Sequence, residues 1–230
     1  MSQQKLYDVY DDATQVARQI PRYPKSYTRV PASPLIERPL TLSEISGPKD
    51  LAGLLHAGPL DLSRSAEGKR AVGQLIWVTG KVCDEDGSPI QGAVLEIWQA
   101  NSSGRYAHPN DDTGEPLDPD FDGFAVLTTG ADGRYAFKTV RPKAYRVSAD
   151  RWRPAHIHFS VTGKTERLVT QMYFPGDPLF PLDAIACSVP EAARHRIVCK
   201  FDPETTMPYW ALSYLFDFVL RGRDATPMEN

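Results

Sequence analysis

Prolines and glycines divide this 230-residue chain into short segments, and that punctuation limits what the chain can fold into. The sequence holds 20 prolines and 16 glycines, which are scattered rather than clustered. Proline opposes both helix interiors and central strands, so long regular elements are disfavoured. Short β-rich runs between turn residues are typical of an all-β sandwich or barrel.

Runs of β-branched and aromatic residues mark seven predicted strands. They span residues 74–83, 93–99, 124–129, 134–140, 156–162, 168–174 and 209–220. Turn residues separate several of them, at Asp86-Gly87, Asp132-Gly133 and Gly163-Lys164. The pair at 132–133 is also a hairpin signal. One helix is predicted at 188–200, with Ser188 as N-cap and Pro190 in its first turn. The sequence therefore predicts an all-β fold, a β-sandwich of mixed, mostly antiparallel strands with one or two short helices.

Residues 1–70 differ from the rest of the chain. Five prolines fall between positions 21 and 39, a density that opposes helices and central strands alike. This segment is predicted to be an extended N-terminal arm laid over a surface, with a short helix at 7–18 and a helical turn at 50–56. It is too irregular to form a domain of its own, so residues 71–230 are predicted to form the sandwich domain.

Charge and cysteine usage exclude several classes of protein. Lysine and arginine total 26 against 29 acidic residues, and this balance argues against a nucleic-acid binder. The most apolar stretch, 209–220, is too short to span a bilayer and contains Asp217. The three cysteines form no CxxC pair and indicate neither a disulfide framework nor a thiolate zinc site. The first residues lack a signal-peptide layout, so we expect a cytoplasmic protein that binds neither nucleic acid nor membrane.

Two histidines on one predicted strand are the sharpest local feature. Alternation along a strand puts His156 and His158 on one face and Ile157 on the other. Two imidazoles on one face are a common half of a metal site, although a polar sheet face explains the pattern as well. The third ligand stays open between a carboxylate, such as Asp150, and a tyrosine.

Several motifs around this histidine pair resemble the intradiol ring-cleavage dioxygenases. The matching stretches are 92–101, 104–106, 117–119 with Phe121, 152–159, 170–174 and 176–178. These stretches occur in the family's order, and the resemblance as a whole extends from about Tyr23 to the end of the sequence. The resemblance implies that the sandwich is a catalytic domain.

The resemblance implies a mononuclear, non-haem Fe(III) cofactor. Matched residue by residue, its ligands would be Tyr106, Tyr145, His156 and His158. Two phenolates and one hydroxide would balance the three charges of the ion in a buried site, where uncompensated charge is costly. Tyr145 would also accept one proton from the incoming catechol.

The resemblance also assigns roles around the metal. Arg153 would stabilise negative charge on the activated ring, and Gln171 would lie beside the iron site. Arg153 is three residues before His156, so Pro154 must break the strand alternation if both face one site. Tyr23 would help to hold the substituent of the substrate, with Tyr27 as a competing choice. Ile185 would form a wall of the ring pocket.

The resemblance implies the substrate and the partner subunit less uniquely than it implies the metal ligands. Val147 stands where related enzymes carry a tryptophan, and the segment between Tyr145 and His156 is two residues shorter. We expect the substrate to be a 4-substituted anionic catechol, with O2 as co-substrate. The first candidate is protocatechuate, which would be cleaved to 3-carboxy-cis,cis-muconate. The alternative is 4-sulfocatechol, because Val147 leaves more room than a tryptophan for the larger sulfonate. The pattern resembles β-type subunits, which implies a homologous α subunit as partner.

Two other functions compete with this interpretation. The stretch 80–93 also resembles the opening hairpin of non-catalytic β-sandwich binding modules, which would carry no metal. A zinc hydrolase built on His156 and His158 would need a third conventional ligand, and none stands at a telling spacing. A binding module has no reason to contain the four-ligand set.

Overall fold

The computed structural model describes residues 60–109, 111, 113–148 and 150–229, together with Ile20, Tyr23, Tyr27 and Thr28. The predicted helix at 7–18, the helical turn at 50–56 and the prolines between 21 and 39 lie outside the described residues. In the part of the chain that is described, no helix is long and apolar enough to cross a membrane.

Two β-sheets form the fold, and a separate two-stranded hairpin accompanies them. The first sheet runs in the order β1 (Leu60–Asp61), β5 (Arg134–Val140), β2 (Leu75–Cys83), β11 (Ala211–Leu215) and β10 (Lys200–Phe201), and β12 (Phe218–Val219) also pairs with β2. The second sheet runs β4 (Phe124–Thr128), β3 (Val94–Gln99), β8 (His156–Thr162) and β9 (Arg167–Tyr173). The hairpin pairs β6 (Tyr145–Ser148) with β7 (Arg151–Arg153).

The predicted fold class is confirmed. Strand β2 pairs in parallel with β11 and β12, and β1 pairs in parallel with β5. The other pairs are antiparallel, including both neighbours of β8. Because β1 already belongs to a sheet at Leu60–Asp61, the sandwich includes residues from the end of the predicted arm. The division near residue 70 stays a prediction.

The core lies between the two sheets and follows from strand alternation. In β2 the side chains of Ile76, Val78 and Val82 are fully buried, while the residues between them are half-buried or glycine. From the opposite sheet, Phe159 meets Phe137 with ring centroids 6.0 Å apart. Each such side chain contributes about 1.5–3 kcal/mol by leaving water, so apolar packing fixes which face of β8 looks inward.

The turn at Asp132-Gly133 forms as predicted, but the predicted hairpin is wrong. Gly133 donates its N–H to the carbonyl of Gly130 at 3.0 Å, so the chain does reverse here. However, β4 and β5 belong to different sheets, and the turn carries the chain from one layer to the other. Turn residues specify a local reversal, whereas tertiary packing decides which strand becomes the partner. The turn at Gly163-Lys164 does join two paired strands, β8 and β9.

The predicted helix at 188–200 is replaced by shorter elements. Two 3-10 helices span Ala186–Ser188 and Glu191–Ile197, and Lys200 already belongs to β10. Pro190 has no N–H and pushes Val189 into an extended conformation, which breaks a continuous helix. The predicted strand at 209–220 also divides, into β11 and β12.

Candidate metal centre

The outer face of the second sheet carries the predicted site. Along β8, Ile157, Phe159 and Val161 face the core, so His156 and His158 face outward. Both histidines are nevertheless buried, because loops and the β6–β7 hairpin cover this face. Polar side chains are therefore enclosed on the one sheet face that the hydrophobic core does not use.

Neighbouring strands add three side chains to this outer face through their register with β8. Strand β9 places Tyr173 opposite His156 and Gln171 opposite His158. Strand β3 places Trp98 on the other side of His158, and the two rings stack with centroids 4.9 Å apart and planes 7° from parallel. The imidazole of His158 is thus held in one plane by packing.

Hydrogen bonds fix the tautomers of both histidines. The Nδ1–H of His156 donates to the carbonyl of Pro154 at 2.7 Å, and the Nδ1–H of His158 donates to Oε2 of Glu229 at 3.0 Å. In these neutral tautomers each Nε2 carries a lone pair. The two Nε2 atoms lie 3.1 Å apart. Two lone pairs at this distance repel, and a cation between them would relieve the repulsion.

Tyr106 reaches the histidines from a loop that follows β3. Its Oη lies 3.3 Å from Nε2 of His156. The loop is shaped by Asn101, whose Oδ1 accepts the N–H groups of Ser103 and Arg105. Gly104, with φ of +91°, allows the loop to approach the chain before β6, because a Cβ there would lie 2.9 Å from the carbonyl oxygen of Ala144.

This close approach brings Tyr106 together with Tyr145, the first residue of β6. Their rings meet edge to face with centroids 5.5 Å apart, and the phenol groups interact through a hydrogen bond. Burial and the neighbouring Tyr145 raise the pKa of Tyr106 well above its usual value. Burial also raises the pKa of Tyr145, against the opposing effect of the Arg153 guanidinium. A strongly charged cation would be needed to ionise both phenols.

Arg153 reaches the same face as the histidines although it lies three residues before His156. It ends β7 opposite Tyr145, and Pro154 separates that strand from β8, so the alternation is broken there. The next residue, Ala155, donates its N–H to Oδ2 of Asp177 at 3.1 Å, which fixes the break. The break in strand alternation that the sequence predicts at Pro154 is therefore present in the structure.

A buried network fixes the guanidinium of Arg153. Its Nε donates to Oδ2 of Asp183 at 2.5 Å, and its Nη2 donates to Oε1 of Gln171 and to the Tyr173 hydroxyl. Asp183 is itself held by the N–H groups of Ile185 and Ala186. Burial alone would lower the pKa of Arg153, but Tyr173 and Asp183 outweigh it and hold that pKa well above its usual value. The arginine is therefore a fixed positive charge at the site.

The three predicted substrate residues differ in how far they are buried. Tyr23 is half-buried and contributes to the raised pKa of Tyr145, whereas Tyr27 is about half exposed. Ile185 is buried and lines a small cavity with Gln171. Val147 is exposed and forms the irregularity in the pairing of β6 with β7.

Four further residues of the site carry no functional assignment from the sequence. Tyr173 could have been found, because it alternates with Gln171 on one strand face. Trp98 could have been found in the same way once the pairing of β3 with β8 is known. Asp183 and Glu229 come from irregular segments that carry no periodic signal.

The donor set fits a hard, highly charged metal ion. Two imidazole nitrogens and two phenol oxygens converge, and each imidazole is oriented through its other nitrogen, as is usual for metal-ligating histidines. Within the described residues, no group of three or more His, Cys, Asp or Glu side chains could hold a metal ion.

Comparison with known proteins identifies the family of this chain. The dioxygenase family model matches residues 52–222, well over half of the chain. A protocatechuate 3,4-dioxygenase beta chain from Burkholderia cepacia is 46% identical over 219 residues, which cover 91% of this chain and 92% of that protein. The chain belongs to the intradiol ring-cleavage dioxygenase family. It is thus an enzyme, and the binding-module alternative is set aside.

More distant intradiol dioxygenases match a smaller part of the chain. A hydroxyquinol 1,2-dioxygenase from Rhizobium sp. (strain MTP-10005) is 35% identical over 141 residues, 55% of this chain and 45% of that protein. The crystal structure of 3-chlorocatechol 1,2-dioxygenase from Rhodococcus opacus 1CP has a TM-score of 0.57 at 23% identity, covering 76% of this chain and 70% of that one. The latter likeness supports the fold alone.

Breaking the buried Arg153–Asp183 ion pair should destabilise the folded protein. Asp183→Asn would leave a buried guanidinium without its carboxylate, and we expect a loss of about 3 kcal/mol in the free energy of unfolding. Asp132→Asn is the matched control, because Asp132 pairs with Arg134 at the surface. It should change the free energy of unfolding by less than about 0.5 kcal/mol. Urea titrations of both variants test this, and equal effects would contradict it.

Proposed function

We propose that this dioxygenase holds one non-haem Fe(III) through Tyr106, Tyr145, His156 and His158. The observation that carries the proposal is the 3.1 Å separation of the two Nε2 atoms, whose Nδ1 partners are already engaged. Phenolate oxygens favour the ferric over the ferrous ion because they are hard and anionic. When bound, Fe(III) would draw electron density from a chelated catecholate and make a ring carbon reactive toward O2.

Tyr145 is proposed to manage a proton during substrate binding. A catechol that chelates as a dianion must lose two protons. Tyr145 Oη would accept one of them, and a hydroxide ion would accept the other and become water. The resemblance to the family assigns this role to Tyr145 rather than to Tyr106. Tyr145 would then exchange between a phenolate that faces a cation and a neutral phenol.

Arg153 and Gln171 are proposed to act on the ring of the bound substrate. The guanidinium is fixed before substrate arrives, so it stabilises developing negative charge with little reorganisation. Gln171 accepts a hydrogen bond from Arg153 and another from Tyr173, at 2.8 Å in the latter case. It thereby keeps Arg153 in place while sharing the face of His158.

We infer that the substrate is a 4-substituted anionic catechol. The Burkholderia relative is named for protocatechuate, which carries a carboxylate. Alternation along β7 gives Arg151 the same face as Arg153, whereas Arg146 pairs with Trp152 on the opposite face of the hairpin. Arg151 is thus the better candidate to meet the anionic substituent, together with Tyr23. The exposed Val147 leaves room for a carboxylate or for the bulkier sulfonate.

Loss of either histidine should remove the iron. On each ring, Nε2 is the nitrogen that can bind the metal, because Nδ1 already donates a hydrogen bond. His156→Ala and His158→Ala should therefore lose most bound iron and all ring-cleaving activity while the strand content is retained. His195→Ala, an exposed histidine in the segment Glu191–Ile197, is the control and should keep both. Iron analysis, circular dichroism and the red-brown tyrosinate-to-iron absorption measure these effects. Full iron content in both ligand variants would contradict the assignment.

The substrate proposal predicts a charge-dependent ranking. Values of kcat/KM should be about tenfold to a hundredfold higher for protocatechuate or 4-sulfocatechol than for catechol, as expected for a charge-assisted hydrogen bond. Arg151→Gln should remove most of this preference, and Arg146→Gln, on the opposite hairpin face, should leave it unchanged. Val147→Trp should lower turnover of 4-sulfocatechol more than that of protocatechuate. A wild-type enzyme that prefers catechol would contradict the proposal.

We propose that the chain works with a homologous α-type subunit. The Burkholderia relative is called a beta chain and matches over nearly its full length. Large apolar side chains are exposed here, among them Val72, Tyr209 and Trp210. Val72 lies close to the point where the predicted arm enters β2, so these side chains and the arm suit a partner surface.

Assembly should therefore be required for full activity. The chain expressed alone should form higher oligomers or show reduced activity, because its exposed apolar side chains lack their partner. Co-expression with an α-type chain should give one defined hetero-oligomer with full activity. Light scattering coupled to size exclusion measures both. A fully active monomer of this chain alone would refute the partner proposal.

A further inference from the structure

The segment 222–229 is tied to β12 of the first sheet and to β9 of the second sheet by a series of hydrogen bonds. Thr226 exchanges two of them with Val219, since its N–H donates to the Val219 carbonyl and its Oγ1 accepts the Val219 N–H. The Pro227 carbonyl accepts the Thr170 hydroxyl at 2.7 Å, and the Glu229 N–H donates to the carbonyl of Val169 at 2.6 Å. Residue 229 is therefore fixed against β9, next to the metal centre.

Glu229 approaches His158 from the side that faces away from the other ligands. Its Oε2 lies 3.0 Å from Nδ1 of His158, and the side chains of both residues are 11% exposed. Trp98 covers one face of the same imidazole. Stacking on Trp98 thus fixes the plane of the His158 ring. The Glu229 carboxylate fixes how the ring is rotated within that plane.

The two histidines differ in the partner of their Nδ1. His156 donates to a neutral backbone carbonyl, while His158 donates to a carboxylate. A carboxylate partner makes an imidazole a stronger donor than a carbonyl does, and such partners commonly change metal affinity 10- to 100-fold. It also places one more negative charge close to the ion, which favours the ferric over the ferrous state.

We propose that Glu229 is a positioning residue of the metal centre, which holds His158 in the metal-binding tautomer and stabilises the ferric state through its charge. The inference rests on the proposed iron site. Glu229 does not touch the ion or the substrate and acts through His158. Gln171, Tyr173 and Glu229 also line one cavity of about 10 Å³, room for about a single water molecule. The side chain of Gln171 interacts with the carboxylate of Glu229 and accepts a hydrogen bond from Arg153, so Gln171 connects Glu229 to the Arg153 network.

The test compares Glu229→Gln with two controls in purified, iron-loaded protein. Glu229→Gln preserves the shape and one acceptor oxygen but removes the charge. Glu85→Gln removes a carboxylate from an ion pair with Arg221, which is not part of the site. Thr170→Val removes the hydrogen bond to Pro227 and so loosens the segment while keeping the carboxylate. The measurements are iron loss to a chelator, the midpoint potential and the tyrosinate-to-iron absorption.

Glu229→Gln should fold normally, lose iron about 10- to 100-fold more readily, shift the midpoint potential upward and move the absorption maximum. Glu85→Gln should match the wild type in all three measurements, and Thr170→Val should keep the wild-type potential. An unchanged potential and iron affinity in Glu229→Gln would overturn the inference and leave the iron site standing. If Thr170→Val shifted the midpoint potential and the iron loss as much as Glu229→Gln does, the inference would also be overturned. The anchoring of the segment 222–229, rather than the charge of Glu229, would then be the cause of the shifts. Absence of the absorption from the wild-type protein would overturn the iron site itself, and this inference with it.

Discussion

The site depends on one constraint, the 3.1 Å separation of two imidazole nitrogens that each carry a lone pair. The core side chains of β8 force this arrangement, since Ile157 and Phe159 must face inward and the histidines must then share the outer face. The repulsion between the lone pairs persists because backbone and carboxylate acceptors hold both Nδ1 atoms. The hydrophobic core thus imposes a geometry that a cation between the two nitrogens would satisfy.

Charge is distributed around this pair so that the buried guanidinium has a carboxylate beside it. Arg153 is matched by Asp183, and two tyrosines lie where a cation would convert them into anions. Buried ion pairs add little net stability, but they fix geometry when every hydrogen bond is made. Asp183, Gln171 and Tyr173 together engage the Nε and Nη2 atoms of the guanidinium. In the proposed mechanism, the network keeps a positive charge at one position as the ring of the substrate becomes electron-rich.

Much of the sandwich could be predicted from local pattern. The bounds of β5 and β8 follow from alternation and match the sequence prediction, whereas β1 and β10 are only two residues long and carry no pattern. The hairpin at 132–133 was wrong, because a turn signal does not say which sheet receives the next strand. The helix at 188–200 was wrong, because Pro190 divides it and local geometry is 3-10. In the site, alternation alone predicted the histidine pair. The tyrosines required a family resemblance, and Glu229 could be found only from the tertiary contact with His158.

The β6–β7 hairpin forms a sheet of its own, paired with neither layer of the sandwich. Its base is fixed by the pairing of Tyr145 with Arg153, while Val147, Ser148 and Asp150 at its tip are exposed. Residues can therefore be inserted or deleted at the tip without shifting the register of a sandwich strand. Such a hairpin is a place where evolution, or directed mutagenesis, can change the surroundings of the site while the histidine-bearing strand β8 stays intact.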